Sequence, residues 1–220
     1  MLVDGVPLVV HAVRALSSSR WVSSIVVAAP ATQVDEFSVL VATLVASGPG
    51  AVEVRVVAGG VDRRASVELA LNACPAAVEV VLVHDVARAL APVELVDRVA
   101  QAVLAGAPAV VPGVLLTDTV KQVDRDDVVQ ETPDRASLRS IQTPQGFRRD
   151  VLLRAHREAD ARRTPAVTDD AGMVEALGIP VVVVPGHEEA FTVTRPLDLL
   201  LAAAVLERRR IAPAAARERQ

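Results

Sequence analysis

"VVLVHDVARAL", residues 80–90, begins as a buried strand and ends as a polar cluster. Val80, Val81, Leu82 and Val83 are apolar, and His84, Asp85 and Arg88 follow within five residues of one another. A short, wholly apolar run suits a strand covered on both faces, as in a parallel sheet flanked by helices. Ligands of such sheets collect beyond the carboxyl ends of the strands. Asp85 therefore stands where a sheet of this type binds things.

The flanking sequence repeats the rhythm. "PLVVHAVRAL" (7–16) has Pro in its first turn and reads as a helix. "SIVVAAP" (24–30) reads as a strand, "TQVDEFSVLVATLVAS" (32–47) as a helix, and "VEVRVV" (52–57) as a strand followed by "GG". "RRASVELALNA" (63–73) reads as a helix, "VEVVLVH" (78–84) as a strand, "PVELVDRVAQAVLA" (92–105) as a helix and "PAVVP" (108–112) as a strand. This alternation predicts βαβ units and a largely parallel, right-handed sheet. It breaks at "TDTVKQVDRDDVVQETPDR" (117–135), two β-like pieces around a charged turn, which reads as an exposed hairpin arm spanning 115–136. The sheet resumes at "LRSIQTPQGF" (138–147), with helices near 148–160 and 168–177, a strand at "PVVVVPG" (180–186) and a closing helix at 195–210. The tail from Ile211 is expected to fray. The whole of 1–220 reads as one domain.

Composition narrows the function classes. Of 220 residues, 51% are hydrophobic but only 2% aromatic, so the core consists of many small aliphatic contacts. The net charge is −4 with no basic block, and bases would find few rings to stack on. A nucleic-acid surface is not expected. One cysteine, Cys74, leaves no intrachain disulfide and no cysteine metal cluster, in keeping with a reducing compartment. The uncharged run Val99–Thr117 has the length of a membrane span, but Gly106, Pro108, Pro112 and Gly113 interrupt it. No signal peptide is read at "MLVDGVPLVV", and a cytoplasmic location is expected.

Four strand exits carry polar clusters: "AGGVDRRAS", "HDVARA", "TDTVK" and "FTVTRP". Each also has a plainer reading. Gly59 and Gly60 suit a tight turn. Ser66 suits a helix cap or a phosphate contact. Asp85 and Arg88 suit a surface ion pair. Thr168, Asp169 and Asp170 read as ordinary N-capping, and His84 as a hydrogen-bonded strand-end residue. His11, His84, His156 and His187 have no metal-ligand spacing.

Taken together, "GGVDRRASV" (59–67), "VLVHDVARA" (81–89), "DTVK" (118–121), "PDRASL" (133–138), "QTPQGF" (142–147), "TDDAGMVE" (168–175) and "TVTRPLDLLLA" (192–202) resemble the 2-C-methyl-D-erythritol 4-phosphate cytidylyltransferases. The motifs match in order and separation over nearly the whole chain. The resemblance implies a Rossmann-like α/β nucleotidyltransferase with an inserted dimerisation arm. It implies a reaction in which CTP and a sugar-alcohol phosphate are joined and pyrophosphate is released, with Mg²⁺. By the same resemblance, Gly59, Gly60, Arg63 and Ser66 contact the nucleotide and Asp85 sits beside the metal and the triphosphate. Ala87 and Arg88 line the pocket, and Thr192 stands near phosphate. Thr119 and Arg135 hold the alditol phosphate, Arg135 reaching in from the partner of a homodimer with the two-pronged grip of a guanidinium.

Two departures from the family pattern lie in the motifs themselves. The family opens on a strand and "PAAGxGxR" with a later Lys, whereas "MLVDGVPLVV" matches only beyond that region. That reading puts the native start roughly 20–30 residues earlier, and expects unpaired strand edges and exposed apolar surface where the central strand belongs. Thr192 replaces the family's Lys, and Val61 a residue often polar. Poor or no turnover is the resulting expectation for the chain as written. Two other readings stand beside the first: a ribitol 5-phosphate cytidylyltransferase, and a non-catalytic homologue that binds nucleotide or dimerises.

Overall fold

The structure, a computed structural model, describes residues 1–44, 52–162 and 169–217. It opens on a small hairpin, β1 (Leu2–Val3) and β2 (Val6–Pro7), turned by Asp4 and Gly5, both at positive φ. An Asp-Gly pair is the standard signal for such a turn, and it was not read from the sequence. Helix α1 (Leu8–Ser17) follows, with Pro7 at its N-cap. Then come β3 (Ser24–Ala29), α2 (Val34–Leu44), β4 (Glu53–Ala58), α3 (Arg63–Ala73), β5 (Val80–Val83) and α4 (Val93–Leu104). The last three positions of the helix expected over 32–47 lie outside the described residues.

Strand β6 (Ala109–Leu115) runs past Pro112, beyond the predicted end of its "PAVVP" segment. The arm is the short antiparallel pair β7 (Gln122–Val123) and β8 (Val129–Glu131), exposed along its length. The predicted strand 138–147 is two strands, β9 (Arg139–Ile141) and β10 (Gln145–Arg148), separated by a cis Thr143–Pro144 bond. Helices α5 (Arg149–Arg162) and α6 (Asp170–Glu175), strand β11 (Val181–Pro185) and helix α7 (Pro196–Arg217) complete the order. The tail expected to fray from Ile211 continues as helix to Arg217.

The α/β architecture expected from the sequence is present. The larger sheet runs β11-β6-β10-β5, with β9 also on β6. Strands β11 and β6 are parallel, and β10 lies antiparallel between β6 and β5. Strands β3 and β4 form a separate parallel pair. On one face, α4 presents Val99 and Val103, with Leu95, Val96 and Ala100 also buried at helical spacing. The packing there is close: a Cβ on Gly146 would stand 2.6 Å from Val99 Cγ1 and 2.9 Å from Val103 Cγ2. On the other face, Phe147, Leu152, Met173 and Val174 form the main core with Leu71 of α3.

No strand pairing joins β3–β4 to the larger sheet among the described residues. A groove of about 610 Å³ runs between them, lined by Ile25 and Val27 of β3 and by Val81 and Val83 of β5. Arg63, Ser66, His84 and Asp85 also line it.

Candidate active site

The Gly59–Gly60 turn is built by α3. The Asp62 side chain caps that helix by accepting the Ala65 N–H at 2.8 Å. Ser66, one turn in, is therefore not the cap. Its hydroxyl accepts the Gly60 N–H at 3.0 Å and donates to the Asp62 carbonyl at 2.8 Å. The Gly59 N–H reaches the Ala29 carbonyl at 2.7 Å, which ties the turn to the end of β3. A Cβ on Gly60 would lie 2.4 Å from Ala65 Cβ, so the turn excludes any side chain there.

Asp85 follows β5. Its backbone N–H donates to Thr143 Oγ1 at 3.0 Å, and the same hydroxyl lies 3.0 Å from His84 Nδ1. His84 is thus the hydrogen-bonded strand-end residue foreseen from its position. The residue keeps some surface, but its Nε2 is fully enclosed, and burial lowers its pKa to about 4. The Asp85 carboxylate accepts Arg63 Nε–H at 3.2 Å. Arg63 also donates through Nη1 to Asp170 Oδ2 at 2.7 Å. Burial alone would lower the Arg63 pKa, but the two carboxylates outweigh it and raise it.

The surface ion pair that Asp85 and Arg88 also suited is not among the described contacts, where Asp85 pairs with Arg63. Arg88 spends its fork on two carbonyls, Ala190 at 2.7 Å and Ile141 at 3.1 Å, and burial lowers its pKa. This holds the 3₁₀ turn Val86–Arg88 against β9 and the segment before Thr192. The Val193 N–H donates to the Ala87 carbonyl at 2.7 Å, so half-buried Thr192 lies next to Ala87.

Three of the four predicted clusters therefore converge: residues 59–66, 84–88 and 192–193. The fourth stands on the arm. Thr119 is exposed, and Arg135 is exposed with Nη1 donating to the Thr117 carbonyl at 2.6 Å.

The capping reading of "TDD" needs correction. Thr168 lies outside the described residues. Asp169 is the cap of α6, accepting the Gly172 N–H at 3.0 Å. Asp170 is not a cap: it is fully buried and accepts from Arg63 and from His156 Nε2, at 3.2 Å. Burial alone would raise its pKa, but His156 and Arg63 outweigh that and hold it below the usual carboxylate range. Sequence reading missed this pair. The available signal was two adjacent acids at a helix start that needs only one.

Among the described residues, no group of three or more His, Cys, Asp or Glu could hold a metal ion, and no helix is long and apolar enough to cross a membrane. A single carboxylate still fits Mg²⁺, which commonly takes one or two protein carboxylates and completes its shell with substrate phosphates and water. Asp85, with a side chain 40% exposed, fits that part.

Known proteins resemble this chain over most of their length. The family profile "2-C-methyl-D-erythritol 4-phosphate cytidylyltransferase" matches residues 1–208. A cytidylyltransferase of that name from Streptomyces avermitilis is 53% identical over 214 residues, covering 94% of this chain and 83% of the relative. One from Frankia casuarinae is 56% identical over 204 residues, covering 93% and 72%. The crystal structure of 4-diphosphocytidyl-2C-methyl-D-erythritol synthase from Anaerococcus prevotii superposes with a TM-score of 0.85 at 27% identity, covering 94% of this chain and 92% of that one. The Thermus thermophilus cytidylyltransferase gives 0.75 at 33% identity, covering 93% and 90%. Sequence and fold agree along nearly the full chain, and it belongs to the 2-C-methyl-D-erythritol 4-phosphate cytidylyltransferase family of CTP-dependent nucleotidyltransferases.

Proposed function

We propose that this chain uses the cluster at 59–66, 84–88 and 192 to join CTP to 2-C-methyl-D-erythritol 4-phosphate with release of pyrophosphate. A phosphate oxygen of the alditol phosphate attacks the α-phosphorus of CTP. The bond from that phosphorus to the oxygen bridging to the β-phosphate breaks, and pyrophosphate leaves. The observation that carries this reading is the Arg63–Asp85 pair at a strand exit, beside a glycine turn closed to side chains.

In this reading the Gly59–Gly60 backbone and Ser66 receive the cytosine, because only a side-chain-free turn lets a flat base approach so closely. Asp85 faces the triphosphate and would hold Mg²⁺, which supplies charge neutralisation to the phosphates when bound. Thr143 and Arg63 fix that carboxylate from backbone and side chain respectively. Ala87 and Arg88 shape the pocket wall. Thr192 offers a hydroxyl but no charge. Thr119 and Arg135 take the alditol phosphate, Arg135 from the partner of a homodimer formed through the arm. Support for the arm's role is its exposure, with Leu115, Val123, Val128 and Val129 all turned to solvent. We place the protein in the cytoplasm, in keeping with its lone free Cys74.

Turnover is expected to be slow. Arg63 is already held by two carboxylates, which leaves it little uncommitted positive charge for developing phosphate charge. The relatives' names favour methylerythritol phosphate over ribitol phosphate. The test is pyrophosphate release with CTP, Mg²⁺ and each alditol phosphate. Release with 2-C-methyl-D-erythritol 4-phosphate, reduced at least about a hundredfold in Asp85→Asn (about 2.7 kcal/mol of barrier), is expected. Release only with ribitol 5-phosphate, or an unaffected Asp85→Asn, would reject the assignment, and no release with either would favour a non-catalytic role.

A further inference from the structure

Arg63 serves two carboxylates of opposite character. The Asp85 side chain is 40% exposed, whereas that of Asp170 is 0% exposed. A buried carboxylate is held only by its partners, since breaking such a pair leaves an uncompensated charge away from water. An exposed one can exchange its partner for water or ligand at little cost. Asp170 is therefore the stationary anchor of Arg63, and Asp85 the member free to respond.

The anchor has its own supports. His156 Nε2–H donates to Asp170 Oδ1, and the ring is 1% exposed in α5. Gln145 of β10 grips the start of α6 on both sides. Its Nε2 donates to Asp169 Oδ2 at 2.7 Å, and its Oε1 accepts the Ala171 N–H at 3.2 Å. Strand β10 pairs with β5, Gln145 opposite Val83, two residues before Asp85. The network thus starts and ends on neighbouring strands, and Arg63 closes it.

We propose that Asp170, backed by His156, is a positioning residue for the nucleotide site. It holds the Arg63 guanidinium so that Nε–H meets Asp85 and orients that carboxylate. Neither Asp170 nor His156 touches substrate in this scheme. The proposal rests on the reading of Asp85 as the carboxylate beside the triphosphate. The rival is a plain core ion pair joining α3, α5 and α6.

The test uses the whole chain, ¹⁵N-labelled, with the Arg63 Nε–H resonance assigned by its loss in Arg63→Lys. In the native protein this proton is protected from exchange, and its resonance moves on addition of CTP and Mg²⁺. In Asp170→Asn its exchange quickens at least about tenfold, and kcat falls by about tenfold (about 1.4 kcal/mol) with KM for CTP within about threefold. His156→Leu behaves alike, while His156→Gln, which keeps an N–H toward Asp170, retains the native resonance and kcat. The His156 pair decides the question even if Asp170→Asn does not fold. Native resonance and native kcat in folded Asp170→Asn or His156→Leu, with Asp85→Asn disabled, would overturn the positioning role and leave the site standing. Native turnover in Asp85→Asn would remove the site itself.

Discussion

At the scale of single residues, Asp85 and Gly60 were legible because strand exits and Gly-Gly turns are local signals. Asp170 was not, because its partner Arg63 lies 107 positions away and nothing local separates a second capping acid from a buried one. Gly60 makes a sharp test. An added methyl at 2.4 Å from Ala65 Cβ, and 2.9 Å from its backbone carbon, must push the turn away from α3. Gly60→Ala should cost about 1–3 kcal/mol of stability and weaken CTP binding about tenfold or more, read by thermal melting and calorimetry. His84 makes another. Its ring, with Nε2 enclosed, has a pKa lowered from 6.5 to about 4 in the folded chain, whereas in the unfolded chain it takes up a proton below about 6.5. Stability is therefore lost as pH falls from about 6.5 toward 4, by on the order of 3 kcal/mol. His84→Asn, which keeps a polar atom near the Nδ1 position, should flatten that decline in urea titrations across the interval. An undiminished slope would mean another group carries it.

At the scale of elements, α3 is predicted at its observed bounds, because "DRR" after a glycine turn supplies a cap and the helix ends by Cys74. Strand β10 was misjudged. Its segment reads as one strand over 138–147, yet β9 and β10 are separate strands and β10 lies antiparallel between β5 and β6. Alternation of apolar residues reports a strand and a face, but not its direction. The arm was readable because its charge and length disagreed with everything around it. Its autonomy yields a prediction. Replacing residues 118–134 by a short Gly-Ser turn removes exposed surface and β7–β8 but none of the buried core residues, so the protein should stay folded. The proposed arm exchange requires that this variant be monomeric and have lost alditol-phosphate turnover. A dimer by light scattering would show that the arm is not the dimer contact.

At the scale of the whole molecule, the sheet has a seam. The β3–β4 pair and the larger sheet face each other across the apolar groove, and Arg63, Ser66, His84 and Asp85 lie along it. The α/β class followed from the alternation of apolar runs. The seam was not legible in the residues themselves, since a local reading reports strands and not which of them pair. Contacts across long sequence distances bring three strand exits together, and that convergence is the central claim. The most direct measurement is a crystal structure with CTP and Mg²⁺ bound. The account predicts cytosine against Gly59, Gly60 and Ser66, with the triphosphate and metal at Asp85 beside Arg63. Nucleotide bound away from residues 59–66 and 84–88 would contradict it.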